Sequence, residues 1–249
     1  MPGLKIRELS FSYDGTKILK NINLDFKEGE KTFILGGNGE GKTTLLEHLN
    51  GLLQPNTGDI YFGDQKITYD DSCLNKLRQE IGVLFQNPEN QIVAPKVPQD
   101  IGVGPCNLGL TQEQVKNRIN NSLKKLDIKE LAERKTHNLS VGEKKKVCIA
   151  GLLAMKPSTL VLDEPLSSLD PKSSREVIDI IQNLNQEEGK TIIIATHNIG
   201  FASKIADKVI IMEEGKVKES GSPENILRKD ILNKYSLKPP GLNMNKIHK

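Results

Sequence analysis

The sequence predicts an α/β protein: a parallel sheet covered on both faces, a strand-rich antiparallel N-terminal region and a helical insert. Three observations carry this. Thr159-Leu160-Val161-Leu162 and Thr191-Ile192-Ile193-Ile194-Ala195 are continuous apolar runs rich in β-branched residues, the pattern of strands with no solvent face. Lys31-Thr32-Phe33-Ile34-Leu35 is a third such run, and a glycine-rich loop follows it, then Leu45, Leu46, Leu49 and Leu52 at helical spacing. From about residue 92 to 158 the chain reads mostly as helices, after an irregular start rich in proline and glycine.

The elements follow in order. Leu9, Phe11 and Tyr13 alternate, Asp14-Gly15-Thr16 offers a turn, and Ile22, Leu24 and Phe26 alternate again before Glu28-Gly29. Pro55-Asn56-Thr57-Gly58 is a turn and Asp59-Ile60-Tyr61-Phe62 a strand, and Ile81-Gly82-Val83-Leu84-Phe85 is a short apolar strand ending at Gln86. Thr111-Gln112-Glu113-Gln114 is a capping-type helix start, with Val115, Ile119, Leu123 and Leu126 as its apolar stripe. Val177, Ile178, Ile181 and Leu184 mark a helix between the two late strands. Val209 to Met212 and Gly215 to Val217 form a closing hairpin. These elements make one domain over residues 1–233, with 234–249 expected as a mobile tail.

Composition excludes several classes. At 249 residues the chain can bury a full core, and no apolar run approaches the roughly 18 residues of a membrane span. Met1-Pro2-Gly3-Leu4-Lys5 lacks the apolar centre of a secretory signal. Cys73, Cys106 and Cys148 are odd in number and far apart, which suits a reducing cytosol better than a disulfide framework. A net charge of +3 is too small to imply a nucleic-acid partner. Lys144-Lys145-Lys146 reads as a solvated helix face, His48 and His137 as structural, and Met244 and His248 in the tail as a poor metal site.

The chemistry concentrates at strand ends. Gly36-Gly37-Asn38-Gly39-Glu40-Gly41-Lys42-Thr43-Thr44 fits the phosphate-binding pattern G-x-x-x-x-G-K-[ST], set between strand and helix as that pattern requires. Its glycines let backbone N–H groups close around phosphate oxygens, and the helix N-terminus adds partial positive charge. Lys42 can reach the β- and γ-phosphates, and the Thr43 hydroxyl can ligate a bridging magnesium. Asp163, at the end of a buried strand, can reach that same metal, and Glu164 is the candidate to polarise an attacking water. His197 follows the next strand and can hydrogen-bond the γ-phosphate, and Gln86 ends a fourth strand on the same edge, where ligands bind in open parallel sheets.

These residues, in this order and spacing, resemble an ATP-binding cassette (ABC) ATPase over nearly the whole chain. Leu139-Ser140-Val141-Gly142-Glu143 matches the family's signature motif, normally Leu-Ser-Gly-Gly-Gln. Leu169-Asp170 matches the motif after the catalytic glutamate, and Tyr13 the aromatic that stacks on adenine. The resemblance implies a RecA-like core and two subunits that sandwich two ATP–Mg2+ complexes. Residues 36–44 would hold the phosphates, Thr43, Gln86 and Asp163 the metal, and Glu164, Lys42, His197 and Gln86 would act in hydrolysis. Ser140 and the Gly142 N–H would complete the site of the opposite subunit. Val141 departs from the usual glycine; a left-handed backbone would strain it, so helical geometry is expected there.

A narrower resemblance is to the energy-coupling-factor group, particularly its cobalt and nickel importers. It rests on Leu84-Phe85-Gln86-Asn87-Pro88-Glu89-Asn90-Gln91, the segment Asp100 to Leu110, and the segment Ile149 to Pro157. Such ATPases work in pairs, identical or related, at the cytoplasmic face of the cell membrane. A transmembrane scaffold protein sits above them with a small substrate-capturing membrane subunit. The alternatives are a water-soluble vitamin as cargo, another transporter using the same engine, or a soluble cassette protein of DNA repair or translation. The last usually carries a long coiled-coil arm, and only about 50 residues separate Gln86 from Ser140.

Overall fold

The structure is a computed structural model and describes residues 3–237. Its first strands are β1 (Leu4–Tyr13), β2 (Thr16–Phe26) and β3 (Lys31–Leu35). Then come α1 (Lys42–Leu49), β4 (Thr57–Phe62), β5 (Gln65–Lys66), α2 (Asp71–Glu80) and β6 (Ile81–Leu84). The helical insert holds α3 (Val97–Asn107), α4 (Gln112–Lys125) and α5 (Val141–Met155). The chain returns with β7 (Thr159–Asp163), α6 (Pro171–Gln186), β8 (Thr191–Thr196), α7 (Ile199–Ile205), β9 (Lys208–Glu213) and β10 (Lys216–Gly221). It closes on α8 (Pro223–Ile226) and α9 (Lys229–Lys234).

Two sheets result. β2-β1-β4-β5 is antiparallel, and β10-β9-β3-β8-β7-β6 is parallel except for the β9–β10 hairpin. The fold is therefore the α/β architecture expected, with its antiparallel N-terminal sheet. The continuous apolar strands have a simple reason: each strand feeds two cores. On one face Phe33, Leu35, Leu160, Leu162, Ile192 and Ile194 pack against the helical insert, α6 and α7. On the other, Ile34, Val161, Ile193 and Ala195 meet α1 and the N-terminal sheet. Successive side chains point to opposite faces, so a strand apolar at every position must be covered twice.

In the insert, Thr111 and Gln114 close a reciprocal capping box that starts α4. The irregular start expected before it holds over residues 92–96, and from Val97 the chain is a regular helix, α3, despite Gly102, Gly104 and Pro105. The glycines are explained by contact: a Cβ on Gly104 would collide with the Met155 side chain, and one on Gly102 would lie 3.2 Å from Ile119. They let α3 lie close against α5 and α4.

Other expectations need correction. α1 ends at Leu49, and Leu52 beyond it is 46% exposed. α2 carries almost no apolar signal, since Leu77 is its one fully buried residue; its legible feature is the Asp70 cap, which accepts from the Cys73 N–H at 3.0 Å. Lys144-Lys145-Lys146 is not a solvated face. Lys144 pairs with Glu89 at 2.7 Å, Lys146 with Glu176, and Lys145 is fully buried. The tail does not begin at Lys234 either. Lys234 closes α9, the Tyr235 hydroxyl donates to Glu219 at 2.8 Å, and Leu237 is buried. The rest of the tail, with Met244 and His248, lies outside the described residues.

Candidate functional site

β3 lies in the middle of the parallel sheet, between β9 and β8, and delivers its glycine loop to the carboxyl edge. Gly36 has no room for a side chain: a Cβ there would stand 2.5 Å from the Met212 carbonyl oxygen. Gly41 is the N-cap of α1 with φ of 87°, a left-handed backbone open to glycine at little cost, and no side chain caps that helix. The N–H groups of the first turn are thus left for an anion. Lys42 Nζ donates to the carbonyls of Gly36 at 2.9 Å and Gly37 at 2.6 Å, folded back over the loop. Burial lowers the Lys42 pKa, against the pull of the Glu164, Asp163 and Glu40 carboxylates.

Thr43 Oγ1 donates to Asp163 Oδ2 at 2.7 Å, which joins the start of α1 to the end of β7. Burial raises the Asp163 pKa, aided by the Glu164 charge and opposed by the Thr43 hydrogen bond and the Lys42 and Lys145 charges. Glu164, one residue on, is 7% exposed and has a left-handed φ of 43°. Its carboxylate is fastened to the neighbouring strand end. Oε1 accepts from the His197 N–H at 3.0 Å and lies 2.7 Å from His197 Nδ1, and Oε2 accepts from Thr196 Oγ1 at 2.8 Å. Its own N–H donates to the Ala195 carbonyl at 2.9 Å.

A cleft of about 410 Å³ opens over these groups, lined by Asn38, Gly39, Gly41, Lys42, Thr43, Thr44, Gln86, Asp163 and Glu164. Ile18 of β2 lines it too, a residue that sequence reasoning missed because the N-terminal sheet reaches the site only through the tertiary fold. Gln86 is exposed, two residues past the end of β6. The strand end before it is braced by Gln91, whose Oε1 accepts from the Phe85 N–H at 3.1 Å and whose Nε2 donates to the Val83 carbonyl at 3.0 Å. The Glu40 carboxylate turns from the loop to the Glu214 N–H in the β9–β10 turn.

The other expected residues stand apart. Tyr13 is 44% exposed at the end of β1, edge-on to Phe11 at 4.8 Å and beside Thr44 and Glu47 of α1. His197 touches the site through Glu164 and does not line the cleft. Ser140 and Gly142 are likewise outside it, at the start of α5. There Ser140 Oγ accepts from the Glu143 N–H at 3.2 Å and Glu143 Oε2 from the Ser140 N–H at 2.8 Å, a closed capping box. Val141 is the first residue of the helix, 42% exposed and free of positive φ, so its Cβ is accommodated as expected.

Comparison with known proteins gives the family. The ABC transporter family model matches residues 19–167. An energy-coupling factor transporter ATP-binding protein of Clostridium perfringens is 43% identical over 239 residues, 95% of this chain and 84% of that one. Another, from Methanocaldococcus jannaschii, is 42% identical over 90% of this chain and 80% of its own length. Among solved structures, cbiO1 from Clostridium perfringens, part of the ABC transporter complex cbiONQ, superposes with a TM-score of 0.84. It is 42% identical, with 95% of each chain covered. A dimeric ATP-binding cassette in a post-hydrolysis state with ADP and phosphate gives 0.80 at 30% identity, over 88% of this chain and 98% of that one. The chain is thus an ATP-hydrolysing member of the ABC transporter family, of the energy-coupling factor type.

Proposed function

We propose that this chain drives the import of cobalt or nickel ions, as one of a pair of ATPase subunits bound under a transmembrane scaffold. The observation that carries the hydrolytic part is the Glu164 carboxylate, at the end of β7 and fastened to the end of β8, in the lining of the cleft of about 410 Å³. In this reading residues 36–44 hold the phosphates, Tyr13 stacks on adenine, and Lys42 releases the Gly36 and Gly37 carbonyls to meet the γ-phosphate. Glu164 takes the proton of the attacking water. His197, bonded to Glu164 through Nδ1, orients that carboxylate and turns its other ring nitrogen to the γ-phosphate.

The residues also fit a magnesium ion. The Thr43 hydroxyl and the Asp163 carboxylate are hard oxygen donors 2.7 Å apart, the kind of donor that magnesium takes. With Gln86 they would hold the ion, which when bound neutralises charge on the β- and γ-phosphates. Ser140 and Gly142, outside the cleft of their own subunit, suit a role across a dimer interface, where they would meet the γ-phosphate held by the partner.

No helix among the described residues is long and apolar enough to cross a membrane, so attachment at the cytoplasmic face would be peripheral. The surface that suits the scaffold is a groove of about 380 Å³ between β6 and the helical insert, lined by Phe85, Val103 and Leu152 and flanked by Val93, 72% exposed. The metal cargo rests on the resemblance of the segment Leu84 to Gln91 to the cobalt and nickel importers; a vitamin importer would use the same engine.

Two measurements test this. Glu164→Gln should lower ATP hydrolysis by at least ~100-fold and leave ATP-bound pairs that persist in size-exclusion chromatography; turnover at the normal rate removes Glu164 from its role. Affinity purification from detergent-solubilised native membranes should bring down a scaffold and a small membrane subunit, whose identity separates metal from vitamin. Recovery with soluble partners alone would sink the transport reading.

A further inference from the structure

Lys145 lies one turn into α5, two residues after the signature motif, and its side chain is fully buried. Buried lysines are rare unless paired with an acid, and the partners of this one are not carboxylates. Its Nζ donates to the main-chain carbonyls of Glu164 at 3.0 Å, Pro165 at 3.1 Å and Ser167 at 2.9 Å, and lies 3.0 Å from Ser167 Oγ. All four acceptors belong to the turn that carries the hydrolytic carboxylate out of β7 towards α6. That turn is strained, with left-handed φ at Glu164 (43°) and at Ser168 (61°), and such backbone persists only where its surroundings hold it.

A second contact joins the same two elements one turn earlier. Gly142 abuts the start of α6, where a Cβ would lie 2.9 Å from Ser173 Oγ, and Ser173 is itself bonded to the α6 cap Asp170 at 2.5 Å. The first two turns of α5 and residues 164–173 are therefore one packed unit. An ammonium has three N–H groups and no acceptor, so it matches a set of inward-facing carbonyls that no neutral apolar side chain could satisfy. Burial lowers the Lys145 pKa to about 8, and the Glu164 and Asp163 charges oppose that shift, so the group is mainly protonated at neutral pH.

We propose that Lys145 is a positioning residue for hydrolysis: it ties the signature end of α5 to the backbone of Glu164, so that displacement of one moves the other within the same subunit. This rests on the reading of Glu164 as the base and of the signature residues as facing a partner's nucleotide. When a second subunit's phosphates seat on Ser140 and Gly142, any displacement of the start of α5 is carried to the turn of Glu164 through three carbonyl bonds. Nucleotide binding by residues 36–44 does not pass through Lys145.

The test uses the full-length chain with Lys145→Gln and Lys145→Met, and reads three quantities: turnover of ATP–Mg2+, affinity for trinitrophenyl-ATP by fluorescence, and thermal midpoint. Met removes every donor, and Gln keeps two N–H groups. Turnover should fall by ~10-fold or more in Lys145→Met and by less in Lys145→Gln, while nucleotide affinity stays within about twofold of the parent. Wild-type turnover in either folded variant overturns the proposal. So does an equal loss of turnover and affinity, which would mark a merely structural lysine. If Lys145→Met does not fold, the ratio of the two losses in Lys145→Gln decides alone. Normal turnover in Glu164→Gln would instead remove the reading of Glu164 itself, so the two failures are distinguishable.

Discussion

The starts of α1 and α5 invite comparison, because both follow a loop that carries a functional motif and both present a helix N-terminus. α1 begins on Gly41, left-handed and with no side-chain cap. α5 begins on Ser140, extended, with a closed capping box that engages the N–H groups of Ser140 and Glu143. The first helix start is thus incomplete without an anion, and the second is stable by itself. One motif is built to bind and the other to stand ready. An uncapped terminus gains most from a phosphate, whereas the capped one needs only to keep its shape until another subunit arrives. It also explains why Glu143 is a serviceable member of the signature: its carboxylate closes the box that Ser140 opens.

Substitutions can break this contrast. The largest effect is expected from Gly41→Ala, where the new Cβ would meet Leu19 Cδ2 at 3.0 Å in a left-handed backbone. Strain of ~1–3 kcal/mol should lower the thermal midpoint, and nucleotide affinity should fall with it. If both survive, the α1 start is not the binding end. Ser140→Ala removes the α5 cap and should cost ~0.5–2 kcal/mol in chemical denaturation, yet leave nucleotide binding to the single subunit unchanged. An equal loss of affinity would erase the distinction between the two termini.

The smallest effect is a pH dependence on the α1 side. His48 is fully buried, donates from Nδ1 to the Thr44 carbonyl at 2.6 Å and packs edge-on to Phe11. Burial holds its pKa below the ordinary 6.5. The folded state then binds fewer protons than the unfolded one, so stability is complete above pH 6.5 and declines as pH falls from there towards the folded value. Thermal melts between pH 7 and 5 should show a fall that is shallower in His48→Gln. A parallel fall in both proteins would assign the acid sensitivity elsewhere.

Legibility differed between the two regions for a physical reason. The phosphate loop and the capping box at Thr111 are local: their partners lie within a few residues, so spacing alone displays them. The reach of Ile18 into the cleft, the Gln91 brace under Phe85 and the burial of Lys145 are contacts between distant segments. A run of three lysines reads as solvated because charge is usually exposed; here the middle one points at the carbonyls of a turn about twenty residues away.

By itself the sequence determined the class of the sheet, the order of the motifs and the chemistry available at each strand end. Those depend on side-chain period, glycine placement and the identity of donors, all of which are properties of short segments. Which of those groups meet was set by contacts between distant segments. The fold brought the Asp163 and Thr43 oxygens within 2.7 Å, hung Glu164 on Thr196 and His197, and left Ser140 and Gly142 outside the cleft of their own subunit. Strand order and helix packing set these distances, and both come from burying two cores on opposite faces of one sheet.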